Sequence, residues 1–380
     1  MLSLADLLNS ADGIRFLESR GVYVSPETFV DQLQPPTILS LACNLGLGHG
    51  TLVYAGQQLY MDYRHSVLGK IALLEKLEQV SSLNGLFIWM DTDRSGSEKA
   101  ITRFTWPGNG KLFTISIAGS KVKDIELRFV EIAPPVLRKA IDNLGMYLRQ
   151  SAAKKNVVAP KYERLRALFV GDKVRTLSEF NLQLTCLLLE NHLGYCPRWL
   201  ILSEILNSGL LNGAVDLFIN NLEAVIRVFN EAVESLVQRG IDPQVRPLSE
   251  HFLPLYYSCE VDDQRTRLYH KVDGSDHYAV GTCKCGVQYR FYLGSRTLSS
   301  AEITRTGRWS PDVCLPVFLN DFVSGLVAGK SSALYGLVLN AVLEKALHKQ
   351  PVPMLVPESL KETGGASDQV DSLIYNYIYG

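Results

Sequence analysis

The period of the apolar positions changes several times along the chain. Residues 3–20 follow helical spacing, and 26–34 form a second short helix opened by Ser25-Pro26, since proline is pre-set for a first turn. PPTILSLACN (35–44) predicts a strand behind its proline breaker. NLGLGHG (44–50) predicts a glycine-rich turn and TLVYAG (51–56) another short strand. From 62 to 79 the period becomes helical, with Val67, Leu68, Ile71, Leu74 and Leu77 at steps of three and four. LFIWM (86–90) is an unbroken apolar run, as in a buried strand, and stops abruptly at Asp91-Thr92-Asp93-Arg94. Strand, glycine turn, helix, strand and acidic loop make the βαβ pattern of a parallel sheet, and such sheets bind ligands beyond the carboxyl ends of their strands. Gly56-Gln57-Gln58 and Asp91–Arg94 are both predicted at that edge. Within 111–132, KLFTISIAG and IELRFVEI add two strand-like runs.

Helical runs then follow one another over 134–153, 161–171, 177–192, 198–212 and 214–239, with no repeat among them. Residues 252–295 return to β-type composition: YYSCEV, TRLYHKV, HYAVGTC and VQYRFYL between Asp/Gly turns. A last α/β segment covers 310–358. The tail SLKETGGASDQVDS is loop-like, and SLIYNYIY is an aromatic run suited to an edge strand. The expected fold is α/β: a Rossmann-like parallel sheet split by a helical insertion, with a small β-rich, zinc-ribbon-like module. The corresponding divisions are 1–133 (N-terminal helices and first half of the core), 134–245 (helical insertion), 246–300 (the module with its CxC) and 301–380 (second half of the core and tail).

Four clusters carry candidate chemistry. AGQQ (55–58), followed by Tyr63, Arg64, His65 and Lys70, puts a glycine where a strand turns toward a helix. Backbone amides can approach a phosphate there, and Gln57 and Gln58 can bond a ligand. In MDTDR (90–94), Asp91 and Asp93 stand one residue apart at a strand end and can hold a metal or an amine or act as a base, unless Arg94 neutralises them. AGKSSALYG (328–336) opens a helix with Gly329, Lys330, Ser331 and Ser332. That is suitable chemistry for cradling phosphate, although it lacks full P-loop spacing and also fits a serine-capped helix. TCKCG (282–286), with Cys259 and with His251, His270 and His277 nearby, offers thiolate and imidazole ligands. Cys259, Cys283, Cys285 and His277 form the expected zinc set, against the alternative of a hairpin with partly buried thiols. His49 in GLGHG is a further candidate ligand contact. No G-x-S-x-G elbow and no H-E-x-x-H occurs, which excludes both standard hydrolase signatures.

Composition narrows the picture. Of 380 residues 47% are hydrophobic and 20% charged, enough for a sizeable core and two or three domains. With 38 basic against 39 acidic residues the net charge is −1, so no general attraction to nucleic acid or anionic membrane is expected. No stretch reaches the ~20 apolar residues of a membrane span: 199–226 and 313–328 are broken by Glu204, Asn207, Asp216, Asn320 and Asp321. The N-terminus carries early acids and reads as an amphipathic helix, not a secretory signal. Seven cysteines, an odd number in a long chain, point to a reducing compartment. Together these give the expectation of a cytoplasmic protein, compatible with a homodimer.

Two separated stretches, TLVYAGQQ…YRHSVLGKIALLEKL…LFIWMDTD (51–93) and RWSPDVCLPVFLNDFVSGLVAGKSSALYGLVLNAVLEKALHKQPVPMLVP (308–357), together resemble the cysteine-adding ligase family of bacillithiol biosynthesis. They cover about a quarter of the chain and match the family more in order and punctuation than in residue identity. The resemblance implies a core related to class I aminoacyl-tRNA synthetases and nucleotidyltransferases, split by a helical connecting region. It places Gly56, Gln57 and Gln58 on the family's GQQ turn, Asp91 and Asp93 on its acidic strand end, and Gly329 and Tyr335 on its late turn and tyrosine. GKSS stands where the family has GGPGE, as in the lysine-serine phosphate loop of class I synthetases. The chain is short for the family's C-terminal coiled coil, and CKCG has no counterpart there.

The expected activity is a ligase that binds ATP with Mg²⁺ and joins an amino acid or amine, cysteine-like, to an acceptor. Lys330, Ser331 and Ser332 would hold phosphates, Gln57 and Gln58 would position the ligand, and Asp91 or Asp93 would bind the amine or a metal. Two rivals stand beside it. One is a stand-alone synthetase relative that transfers to RNA or a carrier protein along a basic run (Arg138, Lys139, Arg149, Lys154, Lys155, Lys161), which reads more simply as a solvated helix face. The other is a non-catalytic nucleotide-binding scaffold, to which failure of Asp91, Asp93 and Lys330 to converge would point.

Overall fold

The computed structural model describes residues 1–46, 50–80, 83–97, 99–108, 111–118, 122–150, 155–361 and 370–379. Six strands, β1 (Val22–Tyr23), β2 (Leu52–Gln58), β3 (Asn84–Met90), β4 (Trp199–Ile201), β5 (Gly325–Val327) and β6 (Met354–Leu355), form one sheet in the order β1-β6-β5-β2-β3-β4. Every neighbouring pair is parallel.

The central strands read as continuous apolar runs because both faces of this sheet are covered. Leu52, Tyr54, Leu86 and Ile88 enter one core, while Val53, Ala55, Phe87 and Trp89 enter the other. The Phe87 and Trp89 rings meet at 4.3 Å between centroids. Burying either side chain stabilises the fold by about 1.5–3 kcal/mol. Helix α1 (His65–Val80) links β2 to β3 and places Val67, Leu68, Ile71, Leu74 and Leu77 in the second core. Helix α2 (Lys330–Lys345) links β5 to β6 and buries Ala333, Leu334 and Val338 in the first. The chain therefore winds outward in opposite directions from β2 and from β5, along opposite faces. The two strands are adjacent, with Gly325–Val327 beside Val53–Ala55. Their shared carboxyl edge is a topological switch point, the usual crevice for ligands in such sheets.

The helices between 134 and 238 divide between the faces. Those at Pro134–Gln150, Lys155–Phe169 and Leu177–Leu193 contribute to the second core, and those at Leu202–Asn207, Asn212–Asn220 and Leu222–Gln238 to the first. A separate five-stranded antiparallel sheet runs in the order Gln288–Gly294, Asp276–Thr282, Arg265–Asp273, Phe252–Ser258, Trp309–Pro311. Its inner face (Leu253, Leu255, Tyr257, Leu268, Ala279) joins the first core.

The sequence pattern misjudged four short segments. The stretch 35–44 contains no strand but the helix Ser40–Asn44, which buries Leu41 and Ala42. Helical spacing over 198–212 concealed β4, a three-residue edge strand beside β3. IELRFVEI forms a 3₁₀ turn at Leu127–Phe129 and a two-residue strand at Glu131–Ile132. The aromatic run near the C-terminus is a helix, Leu373–Tyr379, with Leu373, Ile374, Tyr377 and Ile378 on its buried stripe. Among the described residues no helix is long and apolar enough to cross a membrane.

Candidate functional site

The switch point opens into a cleft of about 740 Å³ lined by β2, α1, β3, the start of α2 and Trp309–Pro311 of the antiparallel sheet. A Cβ on Gly56 would come within 2.5 Å of Met90 Cε on β3, so a larger residue there would displace the flexible end of that side chain. From α1, the buried Lys70 reaches under the edge of β2 and donates to the Gly56 carbonyl at 2.7 Å and to Gln57 Oε1 at 2.8 Å. Burial pushes its ammonium down to about 7 from an ordinary lysine value. An anion placed in the cleft would offset that penalty and favour the charged form.

A line of hydrogen bonds runs from Lys70 along the cleft floor. Gln57 Nε2 donates to the Tyr60 hydroxyl at 3.1 Å, the hydroxyl donates to Gln58 Oε1 at 2.8 Å, and Gln58 Nε2 donates to Asp93 Oδ2 at 2.8 Å. Arg265 stands beyond, with Nη1 3.7 Å from Asp93 Oδ1. Its guanidinium lies 3.9 Å from the centre of the Tyr256 ring and donates to Ser310 Oγ and the Pro311 carbonyl. Both glutamines and Asp93 are thus held in fixed orientations between two cations.

At the opposite wall, Gly329, Lys330, Ser331, Ser332 and Tyr335 line the same cleft. Ser332 Oγ accepts from the Gly329 amide at 2.6 Å, so this serine closes the first turn of α2, while Lys330 and Ser331 stand exposed at the rim. Burial, followed by the charge of Asp93, pushes the Tyr335 hydroxyl up to about 12.

Two residues expected at the site point elsewhere. Asp91 is buried away from the cleft. It accepts from the Ser203 amide at 2.9 Å and from Ser203 Oγ at 2.5 Å, which ties β3 to the helix Leu202–Asn207. Burial raises it to about 6. Strand alternation would place Asp91 and Asp93 on one face, but the strand ends at Met90 and the chain turns, so that Thr92 and Asp93 line the cleft while Asp91 and Arg94 do not. Arg94 pairs with Asp124 at 3.3 Å, half exposed. His49 lies outside the described residues, as does Lys154 of the basic run, and Arg138 pairs with Asp172 at 3.9 Å on an exposed face. Lys70 stood in the sequence cluster without a role, and α1's period gave it no more weight than any helix lysine. Arg265 and Asp312, which pairs with Arg267 at 2.6 Å, carry no local signal, since they reach the cleft only through packing of the two sheets, whereas Tyr60 stands two residues past β2 and bonds its neighbours Gln57 and Gln58.

A second site lies at one end of the antiparallel sheet. Ligand atoms of Cys259, Asp262, Cys283 and Cys285 all lie within 4.8 Å of one another, a group that could hold a metal ion. The Cys259 and Cys285 sulfurs are 3.6 Å apart, and Cys283 Sγ lies 3.3 Å from Asp262 Oδ1. Sulfurs bound to one tetrahedral zinc at about 2.3 Å would stand roughly 3.8 Å apart. His277 is not part of this group. It begins the strand whose far end leads to Cys283, and its Nδ1 sits 2.9 Å from His270 Nε2 with the rings stacked. Asp262 takes the fourth place. Its signal was the spacing Cys259-x-x-Asp262, a knuckle in which carboxylate replaces thiolate opposite Cys283-x-Cys285.

A scan against protein-family models finds no match to the chain, and no curated protein matches it.

Proposed function

We propose that this chain is a ligase-type enzyme that binds a nucleotide, ATP with Mg²⁺, in the switch-point cleft and joins an amino acid or similar amine to an acceptor. The observation that carries this reading is the convergence of Lys70, Gln57, Gln58, Asp93 and the start of α2 on one cleft at the meeting of β2 and β5. A volume near 740 Å³ suits a nucleotide with a small co-substrate. Lys70 beneath the strand edge and Lys330 at the helix start supply positive charge to phosphates. Asp93, oriented by Gln58, is the carboxylate set to hold an ammonium group. It can take the proton that the amine loses as its nitrogen bonds to the acyl carbon of an ATP-activated acceptor carboxyl, where the acyl–oxygen bond breaks and phosphate or AMP departs. Asp91 has no part in this chemistry: of the three residues whose convergence separates an enzyme from a non-catalytic scaffold, only Asp93 and Lys330 line the cleft, and the ligase reading rests on Asp93 as its sole acid. The cysteine-rich site is read as a structural zinc site with Cys259, Asp262, Cys283 and Cys285 as ligands.

Thermal unfolding with and without millimolar ATP and Mg²⁺ tests the cleft. A ligand at one hundred times its dissociation constant stabilises by about 2.7 kcal/mol, so the midpoint of the wild type rises and that of Lys70→Met does not. An unchanged wild-type midpoint at millimolar ATP overturns nucleotide binding. Release of phosphate or pyrophosphate that depends on an added amino acid then identifies the amine, and release indifferent to every amine removes the ligase assignment.

A further inference from the structure

The turn that carries two of the clustered ligands also delivers a residue to the cleft. Cys259 follows the strand Phe252–Ser258, Asp262 lies in the turn, and Arg265 opens the next strand. The turn is closed by bonds from the Cys259 amide to the Gln264 carbonyl at 3.0 Å and from the Asp263 amide to the Cys259 carbonyl at 3.0 Å. The Gln264 amide donates to Asp262 Oδ1 at 3.2 Å. Asp263 has φ +57°, a left-handed conformation uncommon for a residue other than glycine, and pairs with Arg308, whose Nη2 also donates to the Cys259 carbonyl at 2.6 Å. Opposite, Lys284, between Cys283 and Cys285, reaches Asp124 Oδ2 at 2.5 Å, while the Arg265 amide donates to the Asp124 carbonyl at 3.0 Å. The cluster and the root of Arg265 are therefore braced by the same few groups.

We propose that a zinc ion at Cys259, Asp262, Cys283 and Cys285 acts as a positioning device for the cleft: it fixes the turn 259–264 so that Arg265 lies against Asp93. The proposal rests on the zinc reading of the cluster and, for its nucleotide readout alone, on the cleft's proposed function. Zinc has no redox chemistry of its own, and this site has no role in bond making. Its effect passes through the backbone from Asp262 to Arg265, three residues on, and from that guanidinium to the carboxylate. Arg265 is a positioning residue, since it acts on a ligand through Asp93.

The test uses the full-length protein with zinc measured by atomic emission and amide hydrogen exchange followed in peptides covering 91–95. The wild type and Arg265→Ala are expected to carry about one zinc per chain, and Cys285→Ser much less. Exchange over 91–95 is expected to rise about tenfold or more in Cys285→Ser and in Arg265→Ala, with no further rise in the double variant, because both changes release the same contact. Wild type stripped with a chelator should show the same rise and recover on addition of Zn²⁺ alone, which separates loss of metal from misfolding. ATP affinity should fall in parallel. Wild type without zinc, a Cys259–Cys285 disulfide found by thiol titration, unchanged exchange on metal removal, or additive effects in the double variant would each overturn the proposal. Absence of ATP binding in zinc-loaded wild type sinks the nucleotide reading alone, since metal content and exchange need no nucleotide.

Discussion

The switch-point cleft and the cysteine cluster are built by opposite routes. The cleft draws on residues from Tyr54 to Tyr335 and exists only because β2 and β5 pair across the middle of the chain. Several of its working parts are general features, such as a strand edge, a helix start and a lysine in a helix. The cluster draws on four residues within one meander, and residue type carries its chemistry. A site of the first kind is only as sound as the whole sheet, while one of the second kind depends on a few side chains. The two are joined by a buried seam: Glu126 accepts from Arg128 at 2.8 Å and from Ser310 at 2.5 Å and lies 3.3 Å from Arg265.

The largest expected effect comes from cutting that seam. Glu126→Ala leaves Arg128 and Arg265 without their buried carboxylate and should cost about 3–5 kcal/mol in urea unfolding, disturbing cleft and cluster together. A loss below about 1 kcal/mol would mean that the sheets are held by apolar packing alone. Next comes Lys70→Met, expected to weaken ATP roughly a hundredfold while zinc content stays at the wild-type level, since a buried charge facing phosphate is removed and the meander is untouched. Loss of zinc in this variant would contradict the separation of the two sites.

The third prediction concerns pH. Burial raises Asp62 to about 7, and its Oδ2 accepts from the Thr105 amide at 2.6 Å. The folded chain therefore holds a proton that the unfolded chain releases from about pH 4 upward, so stability from this group is present below pH 4 and is lost as pH rises to about 7. Asp62→Asn should flatten that decline, by about 1–3 kcal/mol between pH 5 and pH 8 in urea titrations. An unchanged slope would show Asp62 ionised in the fold. Lys70 has the opposite sign: its value of about 7 in the fold makes stability rise from about pH 7 to about pH 10, where only the unfolded chain keeps the proton. The smallest effect is Lys330→Ala, less than about tenfold in ATP affinity because its ammonium stands in solvent. A loss equal to that of Lys70→Met would move the phosphate site to the start of α2.

The parallel sheet was legible because β2, α1 and β3 repeat their periods over long enough runs and end in sharp punctuation. Trp199–Ile201 was not, since three residues at a sheet edge leave no period to read, and an apolar run as short as 35–44 fits either structure. At the cleft, Gln57, Gln58, Asp93 and Gly329 announced themselves through strand ends and a helix start. Asp91 shared every local sign with Asp93 and differed only in the direction it faces. At the cluster the cysteines were visible and Asp262 was not, because one carboxylate in VDDQ looks like any acidic turn. Proximity in sequence recommended His277, and a seven-residue strand carries it away from the thiols.

The pairing of β2 with β5 has a consequence for synthesis. The Leu52 amide meets Ser324 across 272 positions of chain, so on the ribosome β2 and β3 emerge long before one of their central neighbours exists. Until residues near 325 leave the exit tunnel, the apolar strand Leu52–Gln58 keeps an unpaired edge, the kind of surface that other nascent chains and aggregates recognise.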